Sequence, residues 1–213
     1  MRRRNPFLAL AATLIILASC QKEKSVDTLG SNGSSNGGST GGNTEAGTWK
    51  FISTHITGTQ TAELNDGFDN LKDVTLSDYI TENNAGTLKF DGSKLTTTNI
   101  TYSVNTISKV YMYTNGVLDD SMDFPWTFTL PSYSSSGTYK KIGSDSLYIE
   151  GGMAGTGSTS GTIQPTSSGV KLKFDGDKMT MSQTIDDVNY QFVQGVQAKV
   201  TTHATSVITL QKQ

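Results

Sequence analysis

Met122, Phe124, Trp126, Phe128 and Leu130 occupy every second position of one stretch. In an extended strand that spacing places five large apolar side chains on a single face. Such a face is either a wall for an apolar ligand or a column of ordinary core. Asn115-Gly116, just upstream, is a strong hairpin signal, because both residues accept positive φ and a type I′ turn matches strand twist. Folding back about it predicts Tyr113, Tyr111 and Ile107 on the same face as the five. Pro125 falls on the opposite phase and removes a ladder donor, which predicts an edge strand or a bulge.

The other chemistry-bearing residues form no complete set. His55 and His203 are the only histidines, and two His without Cys are half a zinc site. Alternation groups Trp49, Phe51, Ser53 and His55 on one phase, and Ala204, Ile208 and Leu210 on another strand's core phase. His203 then faces away, so the expectation is one half-buried and one surface histidine. Asp119, Asp120 and Asp123 lack the Asp-x-Asp-x-Asp-Gly spacing of a calcium loop and read as a solvated strand face. Asp175-Gly176-Asp177 and Asp186-Asp187 read as turn residues. No serine sits in a Gly-x-Ser-x-Gly elbow, and nothing singles out two acids for glycoside hydrolysis. The expectation is a protein that is not an enzyme, with no metal and no cofactor.

The start of the chain carries an address. Arg2, Arg3 and Arg4 precede an uncharged apolar run from Phe7 to Ala18. That run is too short to cross a bilayer of roughly 30 Å as a helix, and it suits a secretory h-region. It ends in Leu17-Ala18-Ser19-Cys20, which looks like a bacterial lipobox. Residues 1–19 are then a lipoprotein signal peptide and Cys20 is the lipid attachment site. Its acyl chains, at roughly 0.8 kcal/mol per buried CH₂, would hold the protein to a membrane. The expected location is the bacterial cell envelope, at the outer membrane and surface-exposed in one version. Cys20 is the only cysteine, so no thiol is left for a disulfide, a nucleophile or a metal. The three arginines are the only ones, and removing them takes the net charge from -2 to -5. Without a basic stripe, nucleic acid is excluded as a partner.

Residues 20–46 are the lipidated cysteine and a Gly/Ser/Asn-rich linker. The segment has too little apolar surface to offset its ordering entropy, and reads as a leash spanning roughly 25–30 Å. Gln21-Lys22-Glu23-Lys24 partly resembles a surface-export signal, and Asp27-Thr28-Leu29 a short glycosylation sequon. Residues 47–213 carry the fold. Short alternating runs of Thr, Ser, Val, Ile and Tyr, separated by Gly, Asn and Asp, predict an all-β domain. Strands are expected over 48–57, 87–90, 94–104, 107–114, 117–130, 139–142, 146–150, 170–174 and 178–184, and a last pair over 190–201 and 205–210. Residues 58–84 read as an irregular crossing with one short element near 71–80, and 151–169 as a loop. Leu88-Lys-Phe-Asp-Gly-Ser-Lys-Leu-Thr96 echoes Leu172-Lys-Phe-Asp-Gly-Asp-Lys-Met-Thr180. Both predict a hairpin, with Leu88 beside Leu95 and Leu172 beside Met179 if the loop has two residues.

Gly47-Thr48-Trp49-Lys50 opens the folded part. A Gly-x-Trp first strand followed by successive hairpins resembles the lipocalin family, and more closely the lipocalin-like domains of bacterial lipoproteins. The resemblance implies an antiparallel up-and-down β-barrel, with a β-sandwich as the alternative. It also implies that Trp49 plugs the closed end and that a basic residue of the last strand, here Lys212, lies over its ring. The function so implied is binding of a small apolar or amphipathic ligand lined by Trp49, Phe51, Tyr111, Tyr113, Phe124, Trp126 and Phe128. Two other readings stand beside it. One is a surface adhesion or carbohydrate-associated module using Tyr133, Tyr139 and Tyr148. The other is a structural envelope protein with no ligand. The oligomeric state is not legible.

Overall fold

A computed structural model describes residues 44–150, 168–193 and 195–213. The signal segment, Cys20, the linker up to residue 43 and most of the expected loop at 151–169 lie outside the described residues. The chain is all-β: β1 (Gly47–Asn65), β2 (Asn70–Ile80), β3 (Glu82–Phe90), β4 (Lys94–Thr114), β5 (Val117–Lys141), β6 (Ser146–Ile149), β7 (Ser168–Asp175), β8 (Lys178–Val193) and β9 (Val196–Lys212). All nine belong to one antiparallel sheet that closes in a ring where β1 meets β9.

Turn chemistry sets the meander. Asn115 and Gly116 both have positive φ (51° and 81°) and Thr114 pairs with Val117, as the sequence predicts. The two Asp-Gly hairpins share one geometry: Phe90 pairs with Leu95 and Phe174 with Met179. The tip residues are thus Gly92-Ser93 and Gly176-Asp177, not Asp-Gly. Each register moves two residues from the expected one, which leaves the same faces inward. Asp91 fixes its tip by accepting hydrogen bonds from the Ser93 and Lys94 amides, and these hold its carboxyl below the usual range.

Several expected boundaries are wrong for physical reasons. Residues 58–65 continue β1, and 70–80 are a full strand, β2, turned by Asp66, whose carboxylate accepts from the Phe68 and Asp69 amides. The last pair breaks later than expected: Val193 pairs with Val196, and 196–212 is one strand. β4 and β5 each run through what read as two strands. β2 and β3 share one place between β1 and β4. Their join at Thr81 is held to β1 by bonds from the Thr81 amide to the Thr54 carbonyl (2.9 Å) and from the Thr54 amide to Thr81 Oγ1 (2.8 Å).

The ring has two unlike halves. At its base β1, β3, β4, β5, β6, β7, β8 and β9 each pair with the next, and β9 returns to β1. One continuous core fills it, from Trp49, Phe90, Leu147, Ile149, Met179 and Leu210 up to Tyr102 and Val104. Trp49 is 1% exposed. Its Nε1 donates to the Glu45 carbonyl at 2.7 Å, and Lys212 Nζ lies 5.4 Å from the centre of the indole. Glu45 is buried too. Its carboxylate meets Lys141 Nζ at 2.8 Å and accepts from the Tyr139 hydroxyl at 3.4 Å. Among the described residues the strand pairings and the core side chains lie between Glu45 and Lys212. β6 is described up to Ile149 and β7 from Ser168, and residues 151–167 between them lie outside the described ones. Above the base the described pairings run in the order β5-β4-β2-β1-β9-β8.

Candidate functional site

The concave face of this upper sheet is the candidate site. Direct cross-strand partners share a face, so its lining follows from the register. Nearest the base come Gln183 (β8), Ser206 (β9), Ile56 (β1) and Tyr79 (β2), with Thr106 and Trp126 paired on β4 and β5. The next level is Ile185, Ala204, Gly58, Ser77, Ser108 and Phe124. Then come Asp187, Thr202, Gln60, Thr75, Val110 and Met122, followed by Asn189, Val200, Ala62, Asp73, Met112 and Asp120 nearest the rim.

Two features make this face a trough. First, Gly58, Ala204, Ser77 and Ser108 are small where the base carries large side chains. A Cβ on Gly58 would sit 2.7 Å from both the Ala204 Cβ and the His203 carbonyl oxygen, so β1 and β9 approach closely there. Second, the two side walls differ in kind. On β5, Met122, Phe124, Trp126 and Phe128 form an apolar column that stays partly exposed. On β8, Gln183, Asp187, Asn189 and Gln191 form a mostly polar column, interrupted by Ile185. There Gln191 donates to Asn189 Oδ1, and Asn189 donates to Asp187 Oδ2 at 3.2 Å.

Hydrogen bonds and ring contacts fix the aromatic end. Trp126 Nε1 donates to Ser108 Oγ at 3.0 Å, and Ser108 Oγ lies 3.3 Å from Ser77 Oγ. Tyr79 meets the Trp126 ring edge-on, centroids 5.2 Å apart, and burial pushes its hydroxyl up to about 12. Phe128 packs on Tyr102, which packs on Phe51, so the aromatic wall continues into the base core.

Asp73 breaks the pattern. Its Oδ1 is buried without a hydrogen-bond partner, and burial pushes the carboxyl up to about 6. Its strand neighbours on this face are Ala62 and Met112, neither of which can donate from a side chain. The three lysines of the upper strands, Lys72, Lys109 and Lys199, alternate onto the outer face, Lys72 and Lys199 near Glu63. The described concave face therefore carries acids and no base.

No family model matches the chain, and neither a curated protein nor a solved structure matches it.

Of the residues singled out as a ligand lining, the structure brings Phe124, Trp126 and Phe128 together on the trough wall. Trp49 and Phe51 are packed in the solid base. Tyr111 and Tyr113 face outward, against expectation. The β4–β5 register slips between Met112 and Tyr113, leaving Asp119 without a partner opposite. One extra residue exchanges the faces of everything beyond it. Val110 and Ser108 thus oppose Met122 and Phe124, where an unbroken register would set Lys109 and Ile107. A second slip between Phe51 and Ser53 turns His55 outward, where its Nε2 lies 2.7 Å from Asp78 Oδ1. His203 is outward as expected, 2.6 Å from Asp186. Among the described residues no group of three or more His, Cys, Asp or Glu is placed to hold a metal ion. Tyr139 is in the base core and Tyr133 packs against it, so neither offers the free face that sugar stacking needs.

Asp73 was not among the residues expected in a site. In Asn70–Ile80 the apolar Val74, Leu76 and Ile80 fall on one phase. Alternation alone would bury them and expose Asp73, and the pairing does the reverse. The only signal was the strand's other phase, where Leu71 and Tyr79 flank Asp73, Thr75 and Ser77.

Proposed function

We propose that this protein is an exported, lipid-anchored binding protein with a lipocalin-like domain, held to the bacterial envelope through Cys20, whose upper trough takes one elongated amphipathic molecule. The observation that carries this reading is the contrast between the trough's two walls. Large apolar side chains stay partly exposed along β5 while β8 presents amides and a carboxylate. A purely apolar ligand would leave those polar groups unpaired, at about 1–3 kcal/mol for each buried one. A purely polar ligand would gain nothing from Met122, Phe124 and Trp126. The chain enters the fold at the base, at Glu45, so a leash to Cys20 leaves the trough at the far end, away from the lipid. The residues give no set for catalysis, and the reading includes none.

The test is titration of the chain from residue 21 onward with Nile red, a neutral environment-sensitive dye, following energy transfer from tryptophan. Saturable binding that Phe124→Ser weakens at least about tenfold, with Leu76→Ser on the outer face as control, is the expected result. Non-saturable binding, or equal loss in both variants, rejects the trough as the site.

A further inference from the structure

The chemistry of the trough also specifies the charge of its ligand, an inference that rests on the trough being a binding site. We propose that the ligand is an organic cation: an ammonium group sits at Asp73 near the rim, and its hydrocarbon body runs down the β5 wall over Met122, Phe124 and Trp126. Asp73 supplies the first ground. A buried carboxylate oxygen with no donor is a cost to the folded protein, and because Asp73 as a whole is only partly buried, an ammonium beside its accessible side offsets that cost through charge without reaching the buried oxygen. The surroundings supply the second. Asp187 is nine-tenths buried on the same face with one bond, from Asn189, and Asp120 stands on Asp73's own level. No lysine of the upper strands points inward to balance them. An anionic head would meet only like charge, and a neutral head would leave the carboxylate poorly matched.

Geometry gives the body its length. Along β2, Asp73 and Ser77 are about 13 Å apart at roughly 3.3 Å per residue, and Ser77 shares its level with Phe124. A head at Asp73 therefore brings a long chain, not a compact one, onto the aromatic column. The ring faces there are themselves attractive to a positive charge as it passes.

Three dodecyl probes separate the possibilities: dodecylammonium, dodecanol and dodecanoate, each below its micelle concentration, in equilibrium dialysis against the chain from residue 21 onward at pH 7.5. Dodecylammonium should bind at least about tenfold more tightly than dodecanol, the scale of one charge-assisted hydrogen bond, with dodecanoate the weakest. Asp73→Asn should bring ammonium within about threefold of dodecanol and leave dodecanol unchanged. Asp123→Asn, on the outer face of β5, should keep the full preference and so exclude simple attraction to a net negative protein. Both variants are checked by thermal melting, and the three-probe ranking on the unaltered chain decides the matter if Asp73→Asn does not fold. Equal binding of ammonium and alcohol, or a preference that survives Asp73→Asn, overturns the cation while the amphipathic trough stands. Failure of all three probes, together with Nile red, removes both.

Discussion

The base and the trough are built from the same strands. β1, β4, β5, β8 and β9 run through both halves, yet their inward residues change character along the way. On β9 the inward series reads Leu210 and Ile208 in the base, then Ser206, Ala204 and Thr202 above. On β8 it reads Met179 and Met181, then Gln183, Ile185 and Asp187. Below, every ladder has a neighbour and large apolar side chains fill the ring. Above, small and polar residues are mixed with apolar ones such as Val110, Met112 and Val200. Most of the largest buried side chains thus lie in the lower lengths of long strands, while the upper lengths combine buried apolar residues with a group, Asp73, that costs stability.

The sharpest way to break this contrast is to remove one tryptophan from each half. Trp49→Ala deletes a fully buried side chain from the base and should cost about 3–5 kcal/mol, read as a large fall in the urea midpoint. Trp126→Ala deletes a partly exposed ring and should cost roughly half as much, while abolishing dye binding. Equal losses would mean that the core is continuous from end to end.

Asp73→Asn tests the claim that the trough holds a destabilising group. Its folded carboxyl, pushed up to about 6 by burial, lies above its unfolded value. The ionised form is therefore the penalised one. The penalty is present in full above the folded value, is relieved as pH falls from about 6 towards 4, and has vanished below the unfolded value. At pH 7.5 Asp73→Asn should raise stability by on the order of 1 kcal/mol, after allowance for solvent screening of a partly exposed group. The gain should disappear near pH 4. Melting curves of the two proteins across that range check it, and a gain independent of pH would contradict it.

The smallest expected effect lies outside both halves. His55→Ala removes an exposed pair with Asp78 on the outer face and should shift stability by less than about 0.5 kcal/mol. It should leave dye binding untouched. A larger effect on binding would mean that the outer surface takes part.

Much of the ring was legible because turns and strong alternation are local. Asn115-Gly116 placed one hairpin, the column from Met122 to Leu130 placed one wall, and Gly47-x-Trp49 placed the base. Two bulges were not legible, since a single extra residue leaves no mark on composition yet exchanges inside for outside. They moved His55, Tyr111 and Tyr113 to the exterior. The upper half of β1 and β2 was obscured for a different reason. Its inward residues include Gly58, Gln60, Asp73, Thr75 and Ser77 beside Ile56, Ala62 and Tyr79, and a largely polar lining imitates a solvated loop. Asp73 was hidden by the same inversion, because a strand that turns its acid inward and exposes Leu76 and Ile80 contradicts the pattern used to find strands.

The place where the chain enters has a mechanical consequence. Glu45 is clamped beneath the base and leads straight into β1, which is bonded to β9 along one side and to β3 and β2 along the other. Tension arriving through the residues before Glu45 therefore acts along β1, parallel to both ladders. The bonds lie across that direction, so they are loaded in shear and share the force, instead of being peeled apart one after another.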